Sequence, residues 1–294
     1  MKKFKILMPC YNDWPSIFKL LDNIDQEILE LNGEFSVLIV NDGSNEKMPE
    51  SKRVYKNIKS VEVINMKKNQ GHTRSNATGI RYLSKKENFD YLILMDGDGE
   101  DRPEEIKLLV NKVLKNEDVS VVAKRIKRSE GLIFSILYNL HKLITLVFTG
   151  RNMNFGHYSC LTKKDVDAIS SKESLWGNYS GTVKKFISKL DNIPCARGMR
   201  YVQPSKMSFI KLVIHSFSIL AVFRYQVLLR SVFFSIILLL FVPNFITNFI
   251  IICLIAFTIC VFILSRRENI EGLKNSENQI SDLISIHTKH TKRL

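Results

Sequence analysis

Short apolar runs alternate with longer segments of helical period through the first 123 residues. The runs at 4–10, 35–41, 61–66, 91–95 and 119–123 have the length and composition of buried strands. Between them the spacing predicts helices from about Trp14 to Leu31 and from about Thr73 to Lys85. A loop and short helix are expected through Lys56, and a further helix opens at Arg102-Pro103, where proline suits the first turn. This alternation predicts an α/β fold, a mostly parallel sheet with helices on both faces.

The pattern then changes. Leu132 to Phe148 is strongly apolar but carries His141 and Lys142 at its centre, which makes a spanning helix a poor fit. It suits a helix in the headgroup plane and a core helix on the sheet equally well. In 209–230, Ile210, Val213, Ile214, Phe217 and Ala221 fall at helical spacing, with Lys211 and His215 off that stripe. Because this segment runs straight into the apolar tail, an interfacial helix is the better reading, with packing on the sheet as the alternative.

From Ser231 to Ser265 there is no charged residue. One helix of that length would reach roughly 50 Å, against a hydrocarbon core of about 30 Å. Pro243-Asn244 divides the run, so two spanning helices joined by a tight turn are expected, the first starting near Tyr225. A single tilted helix or a re-entrant hairpin is the alternative. Arg224 and Arg230 precede the run, Arg266 and Arg267 follow it, and the turn is uncharged. Positive residues stay on the cytoplasmic side, so both flanks are expected there.

The chain has 294 residues and a net charge of +14, which fits nucleic acid, an anionic membrane surface or a polyanionic substrate. The apolar tail favours the membrane, and no nucleic-acid partner is expected. Met1-Lys2-Lys3 leads directly into a strand, so no signal peptide is expected. The five cysteines (Cys10, Cys160, Cys195, Cys253 and Cys260) show no metal-type spacing and read as free thiols. Neither a dinucleotide fingerprint nor a glycine-rich phosphate loop follows the first strand.

The chemistry concentrates at strand ends. Tyr91-Leu92-Ile93-Leu94-Met95 stops in Asp96-Gly97-Asp98, placing two carboxylates at positions that share a face. A hard divalent cation held together with substrate phosphates is the natural partner of such a pair. A solvated Asp-Gly turn is the plain alternative. Two more strands end alike, in Val40-Asn41-Asp42-Gly43-Ser44 and in Pro9-Cys10-Tyr11-Asn12-Asp13. In open α/β sheets the carboxyl ends of the strands line the ligand crevice.

These elements, with Asn69-Gln70-Gly71-His72, the continuation Gly99-Glu100-Asp101-Arg102-Pro103, Lys124-Arg125 and the stretch from Arg200 to Lys206, resemble the family 2 glycosyltransferases of GT-A fold. Within that family the chain is similar to the membrane-attached branch that includes dolichyl-phosphate mannosyltransferase and the polyprenyl-phosphate glycosyltransferases. The resemblance implies a GT-A domain over 1–208, a juxtamembrane helix over 209–230, a transmembrane hairpin over 231–265 and a basic cytoplasmic tail over 266–294. It implies that Pro9, Tyr11 and Asp13 wall the nucleoside pocket, with Asp13 or Asp42 accepting bonds from base or ribose. Asp96 and Gly97 would lie against the ribose or metal shell. Asp98 would be the main ligand of Mg²⁺ or Mn²⁺, and Glu100 a second one. Arg125, Arg200 and Lys206 would meet the diphosphate; the alternative for each is a solvated or membrane-facing charge.

The sequence departs from that branch at His157, where an acid is usual, and at Gln203-Pro204-Ser205-Lys206, which lacks a glycine. Both changes bear on the acceptor. The expected activity is inverting transfer of a sugar from a nucleotide diphosphate sugar, with UDP the favoured nucleotide, to a membrane lipid, foremost polyprenyl phosphate. A glycan or glycolipid hydroxyl is the alternative acceptor and would need a base, for which Asp101 or His157 are the candidates. A catalytically inactive membrane-bound subunit is the non-enzymatic alternative. His72 reads as an N-terminal helix residue outside the catalytic set. The family resemblance also suggests a homo-oligomer at the cytoplasmic membrane.

Overall fold

A computed structural model describes residues 1–50, 53–127, 132–202 and 209–289. Its centre is an eight-stranded mixed sheet: β1 (Lys3–Cys10), β2 (Glu34–Asn41), β3 (Ile58–Met66), β4 (Tyr91–Leu94), β5 (Ser120–Lys127), β6 (Phe155–Thr162), β7 (Leu190–Ala196) and β8 (Ile280–Thr288), in the order β7-β5-β6-β4-β1-β2-β3-β8. Strands β4, β1, β2 and β3 run parallel, as do β5 and β7. Strand β6 is antiparallel to both its neighbours, and β8 is antiparallel to β3.

The central strands are apolar on both faces because both are covered. Phe4, Ile6 and Met8 of β1 and Val37 and Ile39 of β2 join one core; Leu7, Leu38 and Val40 join the other. Helices α1 (Trp14–Glu27) and α3 (Ile106–Lys115) cover the first face. Helices α2 (His72–Lys86), α5 (Lys163–Ser170) and α6 (Tyr179–Phe186) cover the second, with α4 (Leu132–Thr149) falling between α3 and α5 in the chain. The expected helix through Lys56 is not found among the described residues: 42–50 and 53–57 are irregular, and Asp25 ties down the end of that loop by accepting from the backbone N–H groups of Lys56, Asn57 and Ile58.

Helix α7 (Phe209–Val222) stops at Phe223, whose φ of −108° and ψ of 25° break the helical run, so the helix expected over 209–230 is shorter than anticipated. Helices α8 (Arg224–Phe241) and α9 (Phe245–Ser265) follow, joined at Val242-Pro243-Asn244; the Asn244 side chain caps α9 by accepting from Thr247 N–H at 2.9 Å. Both are long and apolar enough to cross a membrane. Their faces toward each other are buried, Thr258 Oγ1 donating to Ser231 Oγ at 3.0 Å, while Leu240, Phe241, Phe245 and Ile246 are exposed. Helix α4 packs on α7 and α8 through Ile144 and Phe148, and it exposes Ile136, Leu137, Leu140 and Leu143. The four helices form one bundle with an apolar outer surface.

The segment 266–294, expected as a tail, is folded where it is described. Helix α10 (Ile270–Lys274) packs near Trp176, and β8 pairs along β3 from Met66 to Ser60. The chain thus returns from the apolar pair to the sheet it started from. Arg224, at the start of α8, holds Glu268, just past α9, at 2.6 Å and Glu173 at 2.9 Å.

Candidate active site

The acidic segment leaves β4 and turns at the edge of the sheet. Gly97 is required there: a Cβ would lie 2.6 Å from the Pro9 carbonyl oxygen and from Ile17. Gly99 has a φ of +90° and lies against the Tyr201 ring, so a side chain would be strained as well as crowded. Asp101, almost wholly buried, accepts the Asp96 backbone N–H at 2.9 Å, and its carboxylate lies 3.9 Å from Arg125. Burial, with the nearby Asp96 charge, pushes the Asp101 carboxyl well up. That carboxyl shapes the turn, which leaves it poorly placed as a free base.

A strap from β7 covers the turn. Glu105 fixes the strand's end through the Ala196 N–H at 2.9 Å and the Cys195 thiol. Gly198 N–H donates to the Glu100 carbonyl at 2.8 Å, and Tyr201 N–H to the Asp98 carbonyl at 3.0 Å. The strap brings two guanidinium groups onto two carboxylates. Arg200 meets Asp98 at 2.7 Å and Glu100 at 3.2 Å, and Arg197 also pairs with Glu100. Burial and the Asp96 charge nonetheless raise the Asp98 carboxyl to about 6, against the Glu100 N–H and Arg200, which favour its ionised form. Arg200 therefore lies on the acidic turn, which Arg125 approaches at Asp101. Lys206 lies outside the described residues.

The residues expected to wall a nucleoside pocket lie at the ends of β1 and β2. Asn12, at a φ of 50°, accepts backbone N–H groups from Asn45 and Glu46 and so ties the two loops together. Tyr11 is exposed, and Asp13 has a buried carboxylate oxygen, Oδ1, without a hydrogen-bond partner. Asp42 is different. It is buried, and its two oxygens accept the Gln70 and Gly71 N–H groups at 2.7 and 2.8 Å. Burial raises its carboxyl, those N–H groups opposing the shift. Asp42 is thus a clamp on the loop that leads into α2, and Asp13 is the carboxylate with an oxygen to spare.

That clamped loop delivers His72, which the sequence reading had set aside. His72 Nε2 lies 3.0 Å from Asp96 Oδ1 and 3.2 Å from the Asn76 amide. From β6, His157 sets its ring edge-on to that of His72 at 4.6 Å and stacked on that of Tyr179 at 5.5 Å. His215 of α7 is 6.3 Å further on. One ligand atom each of His72, Asp96 and His157 lie within 4.8 Å of one another. Burial opposes charge on both Asp96 and His72, but their contact outweighs it: the carboxyl is held well below the usual range and the imidazole is raised. Burial and the His72 charge lower His157 to about 3, so its imidazole is neutral at physiological pH. An imidazole this weakly basic is a poor general base and a good neutral ligand.

The donor set fits a divalent cation. His157 Nε2 is buried and lacks a hydrogen-bond partner, a costly state that a cation shared with Asp96 would relieve. The Asp98 and Glu100 carboxylates, the ligands expected from the sequence, already hold guanidinium partners.

The pattern of Glycosyl transferase family 2 matches residues 5–202, more than half of the chain. Among curated proteins, the undecaprenyl-phosphate 4-deoxy-4-formamido-L-arabinose transferase of Photorhabdus laumondii is 26% identical over 219 residues, covering 72% of this chain and 65% of the relative. Its namesake from Klebsiella pneumoniae strain 342 is 24% identical over 222 residues, with the same coverage. The chain thus spans 65% of the length of these curated relatives. Among solved structures, glucosyl-3-phosphoglycerate synthase from Mycobacterium tuberculosis with phosphoglyceric acid superimposes with a TM-score of 0.51 at 12% identity, over 76% of this chain and 80% of the other. The same enzyme with Mn²⁺, UDP-glucose and phosphoglyceric acid gives 0.50 at 10% identity, over 77% and 80%. At these identities the likeness establishes the fold, which is the GT-A type expected.

Proposed function

The chain belongs to glycosyl transferase family 2, and from that premise we propose that it moves a sugar from a nucleotide diphosphate sugar to a phosphate-bearing membrane lipid, foremost polyprenyl phosphate. One observation carries this reading. The acidic site with its arginines reaches, through His157 and His215, a helix bundle whose outer face is apolar. A soluble sugar nucleotide and a lipid headgroup can meet there. The undecaprenyl-phosphate transferases named among the relatives support the acceptor class. The UDP-glucose named in the M. tuberculosis structure makes a UDP-sugar the first donor to test.

In the proposed reaction, Tyr11 flanks the base and the spare Asp13 oxygen accepts a ribose or base donor. Arg125 and Arg200 meet the diphosphate, so the charge that develops on the leaving group is neutralised as the bond breaks. An oxygen of the acceptor phosphate attacks the anomeric carbon from the face opposite the diphosphate. The new C–O bond forms, the donor C–O bond breaks, the nucleoside diphosphate leaves as an anion, and the anomeric centre inverts. A divalent cation, when bound, supplies Lewis-acid stabilisation of the leaving diphosphate. The acceptor phosphate is already anionic at neutral pH, so no strong base is needed. A hydroxyl acceptor would need one, and both expected bases are compromised: His157 by its low basicity, Asp101 by its part in the turn.

The catalytic side is read as cytoplasmic. Arg224, Arg230, Arg266 and Arg267 flank the apolar pair, and both its ends join the same domain. A homo-oligomer belongs to the same reading and is checked by the mass of the detergent-solubilised protein. The deciding experiment incubates purified full-length protein with UDP-sugars and Mn²⁺, offering polyprenyl phosphate or a lipid-linked saccharide. Sugar transfer to polyprenyl phosphate is the expected result. Transfer to the saccharide alone moves the acceptor to a hydroxyl, and no turnover or binding of any UDP- or GDP-sugar removes the enzymatic reading.

A further inference from the structure

We infer that a basic cleft at the edge of the helix bundle, apart from the acidic site, binds the headgroup of an anionic phospholipid. The cleft has a volume of about 310 Å³ and is lined by Arg151, Lys184, Lys185 and Ser188, with Phe186 and Leu190 as its apolar wall. No acid among the described residues lines it. Arg151 follows α4, and the others come from the end of α6, the loop after it and the start of β7. Lys185 is committed: its ammonium donates to the Val222 carbonyl at 2.7 Å and lies 5.4 Å from the centre of the Phe186 ring. Arg151 and Lys184 are different. Among the described residues their side chains meet neither an acid nor a hydrogen-bond acceptor. Cations that line one cleft without counter-charge repel each other, and an anion between them removes that cost.

The cleft lies where a bilayer surface is expected. Arg230 donates to the Val147 carbonyl at 2.7 Å and lies against Gly150, so Arg151 is level with the residue that precedes the charge-free run from Ser231. Lys185 is anchored at Val222, the last residue of α7, just before α8 begins. Leu143 and Leu146, exposed toward the end of α4, offer acyl chains an apolar surface beside the headgroup. A soluble anion has no use for that flank, whereas juxtamembrane lysines and arginines draw anionic lipids. The cleft is also set apart from the reaction. Tyr179 opens α6 against the stacked His157 ring, and Lys184 lies further down the helix, roughly 8 Å along its axis. A phosphate held there is out of place to attack a donor at the acidic turn, so the occupant is a structural phospholipid and not the sugar acceptor. The inference rests on the reading of α8 and α9 as bilayer helices and is independent of the sugar transferred.

The test uses purified full-length protein in nonionic detergent and fluorescent phosphatidylglycerol, with fluorescent phosphatidylcholine as the neutral arm and free glycerol 3-phosphate as the soluble one. Phosphatidylglycerol should bind about tenfold more tightly than phosphatidylcholine, and glycerol 3-phosphate at the same concentration should not displace it. The double variant Arg151→Gln, Lys184→Gln, and Lys184→Glu alone, should each weaken phosphatidylglycerol binding about tenfold, with phosphatidylcholine binding and the thermal transition retained. The control Lys86→Gln, Lys115→Gln removes the same charge from exposed positions at the ends of α2 and α3 and should leave binding within about twofold. Equal affinity for the two lipids, or wild-type affinity in both cleft variants, overturns the site. So does an equal loss in the control, which would mark a diffuse charge effect. Displacement by glycerol 3-phosphate makes the cleft a soluble-anion site, and displacement by undecaprenyl phosphate at equal mole fraction makes it the acceptor's; either result overturns the phospholipid. Incorporation into phosphatidylcholine nanodiscs reads the membrane assignment of α8 and α9 without the cleft, and no sugar transfer is measured, so each reading fails on its own.

Discussion

Arg200 Nη2 lies 2.7 Å from Asp98 Oδ2, so a cation already sits on the carboxylate that the strand pattern had marked for metal. The same guanidinium reaches Glu100 at 3.2 Å and therefore bridges both acids. In the proposed reaction it exchanges part of that partnership for the donor diphosphate. Arg200→Ala should lower kcat/KM about 100-fold, the scale of losing one oriented group that stabilises developing charge. Arg200→Lys keeps the charge but not the bridge and should recover only part of it. Steady-state kinetics with the identified donor checks this.

Asp98 sets an acidic limit on activity. Its carboxyl, raised from 3.8 to about 6 by burial and by Asp96, loses its charge as pH falls through that value. The pH profile of kcat/KM, which reports the free enzyme, should decline below about pH 6. For stability the sign is opposite. The folded state binds this proton more tightly than the unfolded chain, so ionising Asp98 costs stability above about pH 6 and the cost vanishes below about pH 4. Asp98→Asn should therefore raise the melting temperature at pH 8 relative to wild type and do so less at pH 4, while abolishing the acidic limb of any residual activity.

Asp42 supports the site without facing it. Its two oxygens hold the Gln70 and Gly71 N–H groups, and Asp42→Ala leaves both half-buried donors unmatched. The expected cost is about 2–4 kcal/mol, read as a lower melting temperature. Because the loop delivers His72, activity measured well below the melting temperature should also fall at least tenfold. A variant with lower stability and wild-type kcat/KM would restrict Asp42 to folding.

Arg224 and Glu268 join the two ends of the apolar pair at 2.6 Å. The Glu268 carboxyl is nevertheless raised, because burial costs more than Arg224 returns. Arg224→Ala strands that buried charge and should destabilise the protein by about 3 kcal/mol at pH 8. The loss should shrink at pH 5, where the stranded carboxyl takes up a proton, and Glu268→Gln should restore much of the stability at pH 8. Thermal unfolding in detergent at the two pH values tests all three.

Strands β1, β2 and β4 were legible because a strand buried on both faces reads as a largely apolar run, and β3 and β5 by the shorter apolar stretches within them. Strand β6 was not: Gly156, His157, Ser159 and Thr162 interrupt it, since it is wedged antiparallel between β4 and β5 and its polar members serve the site and the α5 cap. Strand β7 carries Pro194, which an edge position tolerates and which argues against a strand in the sequence. Strand β8 is mostly exposed, so its pattern has too little apolar contrast to separate it from a tail. At the site, the acids after β4 were readable because two neighbours in sequence make the feature. The meeting of His72 with Asp96 and His157 depends on sheet order, which no local pattern carries. Arg197 and Arg200 likewise gain their partners only when the strap folds back across the turn.

The return of β8 to the edge of β3 sets an order of assembly. Residues 280–288 leave the ribosome only after both apolar helices, so the outer border of the sheet stays open until the pair has been synthesised. Until then β3 presents bare backbone groups to other chains, and β8 covers them when it pairs. Completion of the sheet is thereby made contingent on synthesis of the two apolar helices: a nascent chain halted before them lacks a finished sheet.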